Sequence, residues 1–318
     1  MLIIYSLFNA ILGATSQGLL WSILGIGVFI AFRILNFADL TSEGSFALGG
    51  CVAATLIVVF GWNPFLSIII ATLAGMVAGA ITGLLHTKLQ IPAILSGILT
   101  MIALYSINLR IMGQANTSLL GKSTIVTIMK SFILEKILPE GYVLGMRDST
   151  FQTLVIIGLG IFFSMVVICF LYWFFGTEIG CVIRATGNNE AMVRAQGSNT
   201  DMMKILGLVL GNGLIAMSGG LVAQSQGYGD VGMGTGAIVI GLASIVIGEV
   251  IIPKRSSFFL KLIAIVIGSI IYRIIIAVVL QFGLNTDYLK LLTAVIVAIA
   301  LSFPVVRKKI IAYIREGK

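Results

Sequence analysis

Long apolar runs separated by short polar segments dominate the pattern along this chain. Residues 1–32 contain no charged side chain, and Arg33 ends this first run. Residues 44–87 are also uncharged but long enough for two helices, and GWNP at 61–64 marks a turn between them. Because about 20 apolar residues cross about 30 Å of hydrocarbon, the pattern predicts about nine membrane-spanning helices. They lie near residues 1–32, 42–60, 64–86, 89–109, 149–177, 203–225, 234–252, 257–281 and 288–306.

The composition also indicates a membrane protein. The mean hydropathy is +1.11, and charged residues make up 10% of the chain, whereas a soluble domain carries about 25%. A soluble protein this apolar would lack the polar groups needed to cover its surface. We therefore predict an all-α fold, a polytopic membrane helix bundle in which residues 1–318 form a single transmembrane domain.

Basic residues predict the orientation of the bundle. The net charge is +8, and Lys and Arg collect on cytoplasmic loops. With nine spans and the basic C-terminus inside, thirteen basic residues lie on the inner side and six on the outer side. The prediction is N-terminus out and C-terminus in. Topology accounts for the charge, so we expect contact with membrane lipid and no nucleic-acid partner.

The longest segment on the predicted outer side covers residues 114–149. Within it, residues 118–141 mix apolar positions with regularly spaced lysines. This pattern is typical of an amphipathic helix lying on the membrane surface. Elsewhere, Gly75, Gly79 and Gly83 recur every fourth residue, which predicts close helix packing.

A polar stretch, FRILNFADLTSEGSFALGG at residues 32–50, interrupts the first two apolar runs. It contains Arg33, Asn36, Asp39 and Glu43. One interpretation is a capped turn at the inner surface. The other is a broken second span whose polar residues lie at membrane depth and line a pathway.

Arg273 lies inside a predicted span. It follows Lys261 by twelve residues, or about 18 Å along a helix, and a buried cation needs an anionic or carbonyl partner. Glu249 is the nearest carboxylate in sequence. We therefore predict an intramembrane ion pair between Glu249 and Arg273.

A second polar stretch, RATGNNEAMVRAQGSNT at residues 184–200, lies between two strongly apolar runs. Its pattern predicts two short helices, the second with Asn188 or Asn189 as N-cap and with Gly197 at its end. Glu190 and Arg194 are four residues apart, in the order that favours an ion pair. With its flanks it forms a cytoplasmic loop, residues 176–203.

This stretch resembles the signature loop of permease subunits of ATP-binding-cassette importers of the branched-chain amino acid type. LNFADLTSEGSFALGG at residues 35–50 resembles a second hallmark of that family, an Asn-Phe-Ala segment after the first span. The Asp-Leu-Thr that follows departs from the leucine-type members. It is more similar to a subgroup linked to substrate-binding lipoproteins for tryptophan, tyrosine and similar molecules.

The resemblance implies a transport subunit without an ATPase site of its own. No cofactor is expected in this chain, because partner subunits bind ATP, and no catalytic or metal site is expected. The implied partners are a second permease copy in a homodimer, two cytoplasmic ATPases and an extracellular substrate-binding lipoprotein. The implied location is the bacterial cytoplasmic membrane.

The resemblance also assigns roles by position. Loop 176–203 becomes the coupling loop that meets the ATPases. The expected ATPase-coupling residues are Arg184, Gly187, Asn188, Glu190, Arg194, Gly197 and Asn199. The expected residues of the translocation pathway are Asn36, Asp39, Glu43 and Asn212.

The expected function is ATP-driven uptake of a small solute by alternating access. An amino acid is favoured, either aromatic or branched-chain, while nucleosides and sugars stay open. The alternative of another class is an ion-coupled secondary transporter, for which Asp39, Glu43 and Arg273 offer intramembrane charges. An intramembrane enzyme is disfavoured by the single histidine, His86.

Overall fold

A computed structural model of the chain describes residues 2–136, 148–252 and 256–281, together with 291, 293–295, 298 and 302. The described part is almost entirely helical, as predicted. The helices are α1 (Leu2–Phe29), followed by a π-helical turn (Ile30–Ile34), α2 (Thr41–Val58), α3 (Pro64–Thr87), α4 (Ala93–Met112), α5 (Ile125–Lys136), α6 (Asp148–Phe174), α7 (Glu178–Asn188), α8 (Glu190–Ala195), α9 (Thr200–Gln226), α10 (Ala237–Ile251) and α11 (Phe258–Gln281). Two short strands are β1 (Asn116–Ser118) and β2 (Tyr228–Asp230).

Within the described ranges, seven helices are long and apolar enough to cross a membrane. They are α1 with its π-helical turn, α2, α3, α4, α6, α9 and α11. Helix α10 has 15 residues, or about 22 Å, so it fills only part of the span predicted at 234–252. The last predicted span, 288–306, lies mostly outside the described residues, and the basic C-terminal tail lies entirely outside them.

The two ends of the bundle carry different structures. At one end, β1 and β2 pair antiparallel, with Thr117 opposite Gly229, and join the end of α4 to the end of α9. We call this the hairpin end. Helices α7 and α8 lie between the end of α6 and the start of α9 at the opposite end, which we call the loop end.

The segment predicted as an outer amphipathic helix contains β1 and α5. The helix begins at Ile125 rather than at Ser118, because residues 116–118 pair with β2 and Gly121 takes a left-handed φ of 76°. Its predicted end near 141 lies outside the described residues.

Helix α9 is the central helix of the bundle, and it contacts α1, α2 and α3. A Cβ atom at Gly79 would collide with the carbonyl oxygen of Leu208 on α9. Gly75 and Gly83 of α3 also face α9, at Asn212 and Ile205. The glycine spacing therefore does serve close packing, as predicted, since small residues let helix backbones approach in a membrane bundle.

Two helices begin inside the bundle rather than at its ends. Asn212 is twelve residues into the 27-residue α9, about 18 Å along it, and it bonds directly to Asp39 just before α2. The chain therefore returns from the π-helical turn to the middle of the bundle before α2 starts. This agrees with the broken-span interpretation of residues 32–50. Helix α10 starts next to the first turn of α2, where the Gly236 N–H donates to Glu43.

Candidate translocation site and coupling loop

The coupling loop is built from capped helices. Thr177 caps α7 by accepting from the Gly180 N–H, and Asn199 caps α9 by accepting from the Met202 N–H at 3.1 Å. The N-cap of α8 is Asn189, which accepts from the Met192 N–H at 3.1 Å. Of the two asparagines that the sequence offered for this cap, the structure uses the second.

Glu190 is the centre of a polar network between α8 and α9. Its carboxylate bonds Arg194 at 3.0 Å, the predicted ion pair, and Lys204 at 2.7 Å. The Thr200 hydroxyl donates to the same carboxylate at 3.1 Å. The hydrogen bond from Lys204 lowers the pKa of Glu190 below its ordinary value. The charged carboxylate therefore ties α8 to the start of α9.

Two other residues of the loop point towards the bundle. The Arg184 guanidinium donates to the Phe175 carbonyl at 2.8 Å and lies over the Phe258 ring, 5.7 Å from its centre. Gly187 does not lie in a turn. It lies inside α7, where a Cβ atom would collide with the carbonyl oxygen of Ile34. Its role is to let α7 touch the end of the π-helical turn.

The outward face of the loop contains the remaining expected residues. Asn188, the last residue of α7, and Arg194 are exposed, and Gly197 ends α8 with a left-handed φ of 83°. Met192 was missed in the sequence. Its side chain is 47% exposed, while the adjacent Val193 is buried. The available signal in the sequence was a pair of adjacent apolar residues, Met192 and Val193, in a short helix within a polar stretch.

Asp39 and Asn212 belong to a buried hydrogen-bond network. The Asn212 amide donates to Asp39 at 2.6 Å, and the Ser45 hydroxyl donates to the Asn212 carbonyl oxygen at 2.7 Å. The Thr41 N–H donates to the other oxygen of Asp39 at 2.9 Å. All four side chains are fully buried. In this conformation Asp39 and Asn212 hold α2 against α9, and their expected place in the pathway stays a prediction.

Asn36 lies in a turn of the backbone. It is exposed and has a left-handed φ of 53°, a conformation that asparagine tolerates better than most residues. It forms the turn by which the chain leaves the π-helical turn, and the Phe37 N–H then bonds back to Ala31. Asn36 therefore shapes the backbone, and its expected place in the pathway stays a prediction.

Glu43 lines a cavity of about 460 Å³ between α2, α4 and the segment that precedes α10. One carboxylate oxygen, Oε1, accepts from the Gly236 N–H at 3.0 Å. Of the four expected pathway residues, Glu43 is the member that reaches this cavity. We call it the Glu43 cavity; its polar lining consists of Glu43, Tyr105, Ser106, Asn108 and Thr235.

The predicted ion pair between Glu249 and Arg273 is wrong. Glu249 bonds Arg33, a residue of the π-helical turn, at 2.5 Å. Arg273 lies over the Trp21 ring, 4.2 Å from its centre, which is cation–π geometry. The reason is that the two helices run in opposite directions. Helix α10 ends near the loop end, and Glu249 lies in its last turn. Helix α11 starts at that end, and Arg273 lies about 22 Å along it. Glu249 and Arg273 therefore lie at different depths, although they are close in sequence.

A bundle of membrane-length helices with a charged interior cavity and a capped loop at one end defines a membrane transport subunit. The chain belongs to the family of permease components of branched-chain amino acid transport systems, whose model matches residues 10–301. The protein is thus the permease of an ATP-binding-cassette importer, a multi-pass protein of the bacterial plasma membrane. Such a permease works with ATPase and substrate-binding partners.

Two curated relatives cover nearly the whole chain. A tyrosine transport system permease protein of Clostridioides difficile (strain R20291) is 36% identical over 91% of this chain and 89% of the relative. An uncharacterised protein of Rickettsia prowazekii (strain Madrid E) is 31% identical over 92% of this chain and 97% of the relative. Among solved structures, PsaBC from Streptococcus pneumoniae in complex with Fab has a TM-score of 0.47 and 18% identity, over 92% of this chain and 89% of that one.

Proposed function

We propose that this permease imports an amino acid, aromatic or branched-chain, by alternating access driven by separate ATPase subunits. The observation that carries the proposal is the contact between Gly187 of the coupling loop and Ile34. Ile34 immediately precedes the segment that leads to Glu43 and its cavity. A displacement of α7 therefore acts on the chain that positions the cavity.

The coupling loop is the docking surface for the ATPases. Capping of α7, α8 and α9 and the Glu190 network make the loop a rigid unit. A rigid unit transmits a push instead of absorbing it. Asn188, Arg194, Asn199 and the exposed Met192 supply the contact, while Arg184, Gly187, Glu190 and Gly197 hold the shape of the loop.

The orientation follows from the charge distribution. The N-terminus faces outward and the C-terminus faces the cytoplasm, which puts the loop end inside and the hairpin end outside. The substrate-binding lipoprotein then delivers cargo at the hairpin end, on the side of the bundle where the Glu43 cavity lies. Access from that side alternates with access from the loop end.

A second copy of this permease completes the pathway. The rim of the Glu43 cavity includes Ile102 and Tyr105, which are 60% and 57% exposed on the surface of the bundle. A carboxylate at membrane depth is costly if it faces lipid, so it faces water or protein. In a homodimer, this face lies along the pathway between the two copies.

The cargo assignment rests on the relative whose name specifies tyrosine transport. A primary amine matches the negative charge of Glu43, whereas sugars and nucleosides have no cationic group for it. The test is reconstitution of the permease with its ATPases and binding protein in liposomes. Uptake of radiolabelled L-tyrosine or L-leucine that requires ATP is expected. Uptake by the permease alone, driven by an ion gradient, would identify a secondary transporter instead.

A further inference from the structure

We propose that the Glu43 cavity is a binding site for the α-amino acid zwitterion, with Glu43 taking the ammonium group and Asn108 taking the carboxylate. This inference rests on the proposed import function and extends it from the whole transporter to two side chains. It assigns to the permease itself a share of substrate recognition.

Asn108 is the first observation. Its side chain is 1% exposed and lines the cavity. Neither its amide nitrogen nor its carbonyl oxygen has a hydrogen-bond partner within the described ranges. Buried side-chain amides are nearly always hydrogen-bonded. An amide that is buried and unpartnered in the wall of a cavity therefore offers a ligand the bonds that are missing.

Glu43 is the second observation. Its hydrogen bond to the Gly236 N–H uses Oε1, and Glu43 lines the cavity. None of the described residues that line the cavity is a lysine or an arginine. The carboxylate is therefore the one formal charge of this lining, and an ammonium group is the ligand that complements it.

The helix ends supply the third observation. Glu43 lies in the first turn of α2, and α10 begins at Ala237, directly after the Gly236 N–H that Glu43 binds. The N-terminus of a helix carries a partial positive charge. Two such ends lie beside one cavity, and they favour a ligand that carries an anionic group as well as a cationic one.

The cavity also has room and surface for a side chain. Its volume of about 460 Å³ lies within the ~300–1,000 Å³ of small-molecule sites. Ala47, Met101, Ile102 and Val231 provide its apolar wall. This apolar part of the lining suits an apolar or aromatic side chain.

The test measures equilibrium binding to the permease–ATPase complex in nanodiscs, without the binding protein. The probes are L-tyrosine, tyramine, which lacks the carboxylate, and 3-(4-hydroxyphenyl)propionate, which lacks the ammonium group. Wild type is expected to bind L-tyrosine at least about tenfold more tightly than either analogue, the loss from one charge-assisted hydrogen bond. Equal affinity for all three, or no saturable binding of L-tyrosine, would overturn the proposal.

Variants separate the two recognition groups. Glu43→Gln is expected to weaken L-tyrosine about tenfold or more and to leave 3-(4-hydroxyphenyl)propionate unchanged. Asn108→Ala is expected to weaken L-tyrosine and 3-(4-hydroxyphenyl)propionate but not tyramine. Glu135→Gln, on the exposed face of α5, is the matched control and should bind like wild type. If a variant fails to fold, the comparison of the three probes on the wild-type protein still tests the proposed site.

The outcome is distinguishable from failure of the proposed function. If the full transporter imports L-tyrosine but Glu43→Gln binds it like wild type, the site is refuted and import stands. If no amino acid is imported but tyramine binding depends on Glu43, import is refuted and the ammonium site stands.

Discussion

Gly187 of α7 packs against the carbonyl oxygen of Ile34 so closely that a side chain has no space there. The two residues are far apart in sequence, and they join the coupling loop to the end of the first membrane span. Beyond Ile34 the chain turns back into the bundle towards Glu43. The contact therefore connects the coupling loop with the segment of chain that leads to the cavity.

Gly187→Ala is predicted to uncouple ATP hydrolysis from transport. The added Cβ atom pushes α7 away from the π-helical turn, with a stability cost of about 1–3 kcal/mol. ATPase activity of the reconstituted complex should persist while uptake falls. Gly158→Ala is the control, because a Cβ atom at Gly158 in α6 meets nothing within 4 Å. Uptake at the wild-type level in Gly187→Ala would contradict the mechanical role.

Asn212→Leu is predicted to destabilise the bundle by about 1–3 kcal/mol, the cost of leaving a buried polar group unsatisfied. The substitution removes the amide that bonds Asp39 at 2.6 Å. Thermal unfolding in detergent measures the change. Ser45→Ala removes only the hydroxyl that donates to Asn212 and should cost less. Loss of transport with unchanged stability would instead put Asn212 in the pathway.

The coupling loop is predicted to loosen in acid. The pKa of Glu190 is lowered from its ordinary value of 4.5, mainly by the hydrogen bond from Lys204. Its stabilising contribution is therefore complete above pH 4.5 and disappears as pH falls through the lowered pKa. Hydrogen exchange of α8 should increase in that acid range. In Glu190→Gln the exchange should be raised at neutral pH and should lose this dependence.

Met192→Asp is predicted to weaken the association of the permease with its ATPases. Met192 is 47% exposed on α8, and burying an apolar side chain of this size at an interface contributes about 1.5–3 kcal/mol. Co-purification of the ATPases measures the effect. Leu120→Asp, an 85% exposed position near the hairpin end, serves as the control. Equal recovery of ATPases with both variants would exclude α8 as the docking helix.

The sequence by itself determined the class of the fold and the local structure of the loop. Apolar runs of about 20 residues can only be satisfied as helices in lipid, and the seven described spans follow from them. Capping residues and the four-residue spacing of Glu190 and Arg194 act within one or two turns. Local rules of this kind can be read from the order of residues alone.

Only the tertiary structure decided which polar residues meet. Asp39, Glu43 and Asn212 looked equivalent as intramembrane polar residues, yet two are sealed in a network and one reaches a cavity. Glu249 was matched with Arg273 by sequence distance, but the packing of α10 on α1 and α11 places it beside Arg33. The depth of a polar side chain, and the side of the helix on which it lies, depend on where its helix begins inside the bundle. That is a property of long-range packing, which no local pattern of residues encodes.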